Sequence, residues 1–268
     1  MQNSKSQSML QGVSILAVAM ILVKLFGAIF KIPLGNIIDD AGFGYFNTAY
    51  DIYSVLLMVS TAGLPVAMSR MIAEAGSLGR YGQIRRIYQT ALCIFLGLGV
   101  AGTVLMTGFC RPLANWMNSP NSWAAIAALG PSALLMCLTS AFRGFFQGQG
   151  NMRPTSVSQV LEAVCKLVVG LGLAWFIMKQ KNDTALAAGG AILGVTSGCL
   201  IATLYMYGAY SRARREMPKS QGGVSSFGQT AKRLLAIAIP ITIGSAGAAL
   251  VEDGRFVLSP SVPGVKAI

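Results

Sequence analysis

The chain contains no histidine. That excludes histidine metal sites, imidazole proton relays and Ser/His hydrolysis among its own residues. Charge is scarce too: only 11% of the 268 residues are Asp, Glu, Lys or Arg, against about a quarter in ordinary soluble domains. Acidic residues are the scarcest, 9 against 21 Lys+Arg, for a formal net charge of +12. Cysteine is present without a pattern. Cys93, Cys110, Cys137, Cys165 and Cys199 stand singly, nearly all inside apolar runs and with no CxxC pair. That argues against a disulfide framework or a zinc site and for small apolar packing residues. There is no Walker loop, GxSxG elbow or metal-ligand spacing, so neither catalytic residues nor a metal or other cofactor is expected.

What fills the chain is hydrophobic length. Apolar residues make up 54% of it, and its mean hydropathy is +0.60. A membrane span needs about 20 apolar residues. The pattern therefore predicts an all-α polytopic membrane protein with six spans, near residues 12–32, 45–73, 87–109, 123–146, 156–178 and 185–210. The start of a seventh follows at 234–251. The organisation reads as a polar N-terminus 1–11, a six-helix lobe 12–210, a basic linker 211–233, the seventh-helix start, and an atypical tail 252–268. The first apolar run is too long for a cleaved signal peptide and is read as a retained helix. The tail, EDGRFVLSPSVPGVKAI, has neither span nor periodicity and reads as a shifted frame or a truncation.

Loop charge gives orientation. The loops after spans two, four and six hold Arg80, Arg85, Arg86, Arg153, Arg212, Arg214, Arg215, Lys219, Lys232 and Arg233. The opposite loops hold Arg111, Lys179 and Lys181 beside Asp39, Asp40 and Asp183. Basic residues mark the cytoplasmic side, so the N-terminus is expected there, and membrane topology accounts for the excess of charge without nucleic acid as partner. RPLANWMNSPNS is expected as a turn, with Trp116 and Trp123 at the water–lipid boundary.

Charge inside spans is expensive and usually functional. Lys24 and Lys31 are two helical turns apart and share a face; they either aim at an anionic ligand or, for Lys24, pair with Asp51 or Glu162, while Lys31 has the further option of snorkelling. Asn47, Asp51 and Ser54 make a polar stripe that also reads as a wet helix face. AGLPVAMSR places a helix break before Arg70, which either closes a cavity from the inner side or anchors the helix. Arg143 and Gln147 share a face at i, i+4, as do Gln159, Glu162 and Lys166 at i, i+3, i+7. Glu162 and Lys166 also have the spacing of a mutually neutralising ion pair.

SAFRGFFQGQGNMRPTSVSQVLEAVCK resembles a signature of the polysaccharide-export branch of the multidrug/oligosaccharidyl-lipid/polysaccharide flippase superfamily. It is most like the stage V sporulation protein B group, relatives of the lipid II flippase. VKLFGAIFKIPLGNIIDDAGFGYFNTAYDIY and AGLPVAMSRMIAEA resemble the same group in the same order. The resemblance implies two lobes around a cationic cavity that alternate access for a polyprenyl-pyrophosphate-linked saccharide or peptidoglycan precursor. It implies ligand-contacting roles for Lys24 and Lys31. Arg70 and Arg143 match basic positions of the sporulation branch, without an implied cargo contact. The full candidate set for substrate is Lys24, Lys31, Asp51, Arg70, Arg143, Gln147, Glu162 and Lys166. The expectation is one lobe of a flippase, whose partners are the bilayer, the lipid-linked saccharide, and a C-terminal lobe or second copy. The alternatives are a cation-coupled multidrug antiporter lobe and an inactive membrane fragment.

Overall fold

A 60-residue helix drawn straight would be about 90 Å long, roughly three times a hydrocarbon core. The first element, α1 (Gln2–Thr61), has that length and does not run straight. Asp39 adopts φ 57°, ψ 175°, outside helical space, and the chain turns back on itself there. The rings of Phe30 and Phe46 lie 5.7 Å apart, whereas in an unbroken helix these positions would stand about 24 Å apart. A positive φ with extended ψ is nearly a glycine-only conformation and costs about 1–3 kcal/mol. Beside it Gly42 packs so closely that a Cβ there would lie 3.0 Å from Ile38 Cβ and 3.3 Å from the Thr184 carbonyl oxygen.

The computed structural model describes residues 2–61, 63–217 and 225–252. After α1 come α2 (Leu64–Ser77), α3 (Tyr81–Gly108), α4 (Cys110–Trp116), a 3-10 turn (Pro120–Ser122), α5 (Trp123–Gly148), α6 (Arg153–Lys181), α7 (Thr184–Glu216) and α8 (Phe227–Glu252). Among the described residues there is no strand. The chain is an all-α polytopic membrane protein. Among the described residues, five helices are long and apolar enough to cross a membrane: Ser14–Met58 within α1, Tyr81–Gly108, Pro120–Gly148, Arg153–Lys181 and Thr184–Glu216.

The expected first and second spans thus share one doubled-back helix. The expected second span, 45–73, is broken at the Gly63 and Pro65 its sequence carries: α1 stops at Thr61 and α2 starts at Leu64. Gly63 sits against the Ala238 carbonyl oxygen and Thr242 Oγ1 of α8, where a Cβ would collide. Pro65 falls in the first turn of α2, where its missing donor costs nothing. Residues 111–116, expected in a turn, belong to the short helix α4. The helix α7 runs on to Glu216, into the expected linker, and α8 begins at Phe227 rather than 234. Lys219 and the tail from 253 onward lie outside the described residues.

Packing is close between α6 and α7. A Cβ on Gly194 would land on the backbone of Gly170, and one on Gly198 would lie 2.7 Å from the Glu162 carbonyl oxygen. Small residues at such crossings bring helix backbones together, which is the main source of helix association where lipid removes the hydrophobic drive. The α5–α7 contact is polar as well as tight: Ser132 and Thr196 hydroxyls are 2.7 Å apart, as are those of Thr139 and Thr203. The stretch of α6 that meets α7 also meets α1: a Cβ on Gly170 would lie 2.9 Å from the Ala191 carbonyl oxygen of α7 and 3.0 Å from the Phe30 ring of α1.

Candidate functional site: a basic hollow between α1, α5 and α6

Beside its crossing with α7, α6 borders a hollow of about 720 Å³. Its wall takes Lys24 and Lys31 from the first leg of α1, and Phe46, Asn47 and Tyr50 from the second. Met136 and Arg143 come from α5, and Gln159, Glu162 and Lys166 from α6. The two helical periodicities account for this: positions 24 and 31, and positions 159, 162 and 166, each recur on a single helix face. Met20, Val23 and Phe26 add an apolar strip along the same wall.

Five of the eight candidate residues therefore meet at one place: Lys24, Lys31, Arg143, Glu162 and Lys166. Asp51 and Arg70 are exposed and Gln147 is half-buried, and none of these three belongs to the wall of the hollow. Four cationic side chains face one carboxylate, leaving three positive charges in excess.

The charges are not equivalent. Arg143 is the buried one, its side chain 11% exposed, and its Nη2 lies 3.0 Å from Glu162 Oε2. Its Nε–H donates to Ser158 Oγ at 3.1 Å, and that hydroxyl donates to the Thr155 carbonyl oxygen at 2.7 Å. The other Glu162 oxygen lies 3.8 Å from Cys199 Sγ, which donates to it from α7. Of the two ion pairs among the described residues, this one replaces the Glu162–Lys166 pair that spacing suggested. A cross-helix guanidinium offers a planar fork that matches a carboxylate better than a neighbouring ammonium does.

Lys166 turns instead to aromatic faces. Its Nζ lies 4.7 Å from the centroid of the Tyr50 ring, 4.9 Å from Phe30 and 5.8 Å from Phe46. Lys24 and Lys31 are exposed on the hollow. Among the described residues, Gln159 Oε1 is buried and accepts no hydrogen bond. Sequence reasoning missed the three rings, Ser158 and Cys199. Phe46 and Tyr50 are i, i+4 and would have shown as one helix face, but nothing local brings Phe30 to them. The turn at Asp39 does.

Comparisons with known proteins agree with this architecture. The chain is 27% identical over 243 residues to stage V sporulation protein B of Bacillus subtilis (strain 168), covering 88% of this chain and 46% of that protein. It is 25% identical over 216 residues to the lipid II flippase MurJ of the same organism, covering 75% and 39%. Among solved structures, a MATE transporter in a straight conformation superimposes with TM-score 0.73 at 14% identity, over 91% of this chain and 54% of that one. A MOP superfamily transporter from Pyrococcus furiosus gives TM-score 0.70 at 15% identity, over 90% and 54%. The structural likeness is one of fold. The chain spans somewhat less than half the length of the curated relatives it matches. The family model described as polysaccharide biosynthesis protein matches residues 9–255, and the chain belongs to that family.

Proposed function

We propose that this chain is a lobe of a bacterial plasma-membrane transporter that flips a lipid-linked, polyprenyl-pyrophosphate-bearing saccharide or peptidoglycan precursor. The hollow would receive the pyrophosphate, and the apolar strip of Met20, Val23 and Phe26 would let the lipid chain stay against the bilayer. A second lobe, or a second copy of the chain, would close the cavity for alternating access, with the N-terminus on the cytoplasmic side. The role is transport, not catalysis.

The observation that carries this reading is the excess of cationic side chains on one hollow between apolar helices. Anions bind there with little competition from water, so each charge-assisted contact is strong. The names of the relatives point the same way. The cation-coupled drug antiporter is less well supported, because Glu162, the hollow's one carboxylate, is engaged with Arg143.

The test is binding to the purified chain in nanodiscs, with farnesyl pyrophosphate, farnesol and inorganic pyrophosphate compared. Farnesyl pyrophosphate should bind best, and Lys24→Ala should weaken it about tenfold, the worth of one charge-assisted hydrogen bond. Equal binding of farnesol and farnesyl pyrophosphate would overturn the reading.

A further inference from the structure

A lysine i, i+4 from a glutamate on the same helix normally spends its charge on that glutamate. Lys166 makes no contact ion pair with it, and Arg143 engages the Glu162 carboxylate from α5 instead. What Lys166 has in its place is a set of three rings within 6 Å: Tyr50, Phe30 and Phe46 at 4.7, 4.9 and 5.8 Å. A significant cation–π contact occurs about once per 70–80 residues. Three converging on one ammonium form a cage.

The cage is rigid. Phe30 and Phe46 are 1% and 2% exposed. Phe46 stacks on Tyr50 with centroids 5.7 Å apart, and the Phe30 ring lies the same 5.7 Å from Phe46. Two of the rings come from one leg of α1 and the third from the other, so the turn at Asp39 assembles the cage. A ring face attracts the cation but supplies no lone-pair acceptor, so the ammonium's N–H donors remain available to a ligand oxygen. A carboxylate partner would have used them.

Resting on the transport reading above, we infer that Phe30, Phe46 and Tyr50 are positioning residues: they hold the Lys166 ammonium in place, out of ion-pair contact with a carboxylate, so that it meets the anionic group of the ligand from the α6 wall. Lys166 is then a direct contact, and Arg143 acts through it by holding Glu162 out of contact with the ammonium.

The test changes ring electrostatics while keeping ring shape. Tyr50→Phe is the reference, and phenylalanine carrying one, two or three ring fluorines is placed at the same position in the purified chain in nanodiscs. Each fluorine drains the negative ring face. The readout is the rate of acetylation of Lys166 by acetic anhydride, measured by peptide mass spectrometry without ligand, with Lys179, which sits over Trp175 at 5.0 Å instead, as internal control. Lys166 should react stepwise faster with each fluorine, about threefold across the series, and Lys179 should not change. Farnesyl pyrophosphate should protect Lys166, more than inorganic pyrophosphate does, and less so in the trifluoro variant. A flat fluorine series overturns the cage, whatever the chain binds. A graded series in a chain that binds farnesyl pyrophosphate no better than farnesol leaves the cage standing and removes the transport reading instead.

Discussion

Arg143 Nη2 and Glu162 Oε2, from helices α5 and α6, stand 3.0 Å apart on the wall of the basic hollow. The pair decides what every other charge there does. It removes the one carboxylate from competition for the lysines, and it links the α6–α7 unit to α5. Burial makes the link costly to break from one side. A guanidinium left without its partner in an apolar setting is far worse than no charge at all.

Glu162→Gln should therefore destabilise the chain by about 3 kcal/mol, as should Arg143→Gln. The doubly substituted chain should lose much less than the two single losses combined, since each single change already breaks the pair. Unfolding midpoints of the chain in detergent, followed by denaturant titration, measure this. A Glu162→Gln chain that unfolds at the midpoint of the unsubstituted one would show that the pair contributes nothing.

The α6–α7 crossing makes a separate demand. Gly194→Ala would drive a methyl group into the backbone of Gly170, so the helices must part and the chain should lose most of its folded yield. Gly97 on α3 has nothing within 4 Å of its would-be Cβ. Gly97→Ala should be neutral or gain up to about 1 kcal/mol from helix propensity. Detergent-extracted, monodisperse yield is the comparison, and equal yields for the two variants contradict the close crossing.

Orientation is open to thiol chemistry. Cys137 is 2% exposed in the core, while Cys110 is half-buried at the start of α4, beyond the end of α3. With the N-terminus in the cytoplasm, Cys110 should react with a membrane-impermeant maleimide in intact cells, and Cys137 should not. Labelling of Cys110 only after the cells are opened would place the N-terminus outside.

Much of the fold was legible because it rests on local terms. Long apolar runs and the scarcity of charge are properties of neighbouring residues, and a helix satisfies its backbone within one segment. The break at Gly63–Pro65 was legible for the same reason: proline alters its own turn. So was the shared face of Gln159, Glu162 and Lys166, which follows from the helical period alone. Span ends were less so, as at α4 and α7, because end residues answer to packing and to water as much as to hydropathy.

What the sequence alone determined, then, is that this chain is a helical membrane protein with cations set inside its apolar runs and grouped by helix face. Partners were decided only in three dimensions. Glu162 took Arg143 rather than Lys166, since a guanidinium arriving from α5 has a geometry no spacing on α6 reveals. Lys166 found three rings because the chain doubles back at Asp39 and brings Phe30 beside Phe46. Asp51, Arg70 and Gln147 lie off the wall of the hollow, which no spacing within their own helices shows. Helical periodicity gives each residue an angle about its own axis; only packing gives that axis a rotation and a neighbour.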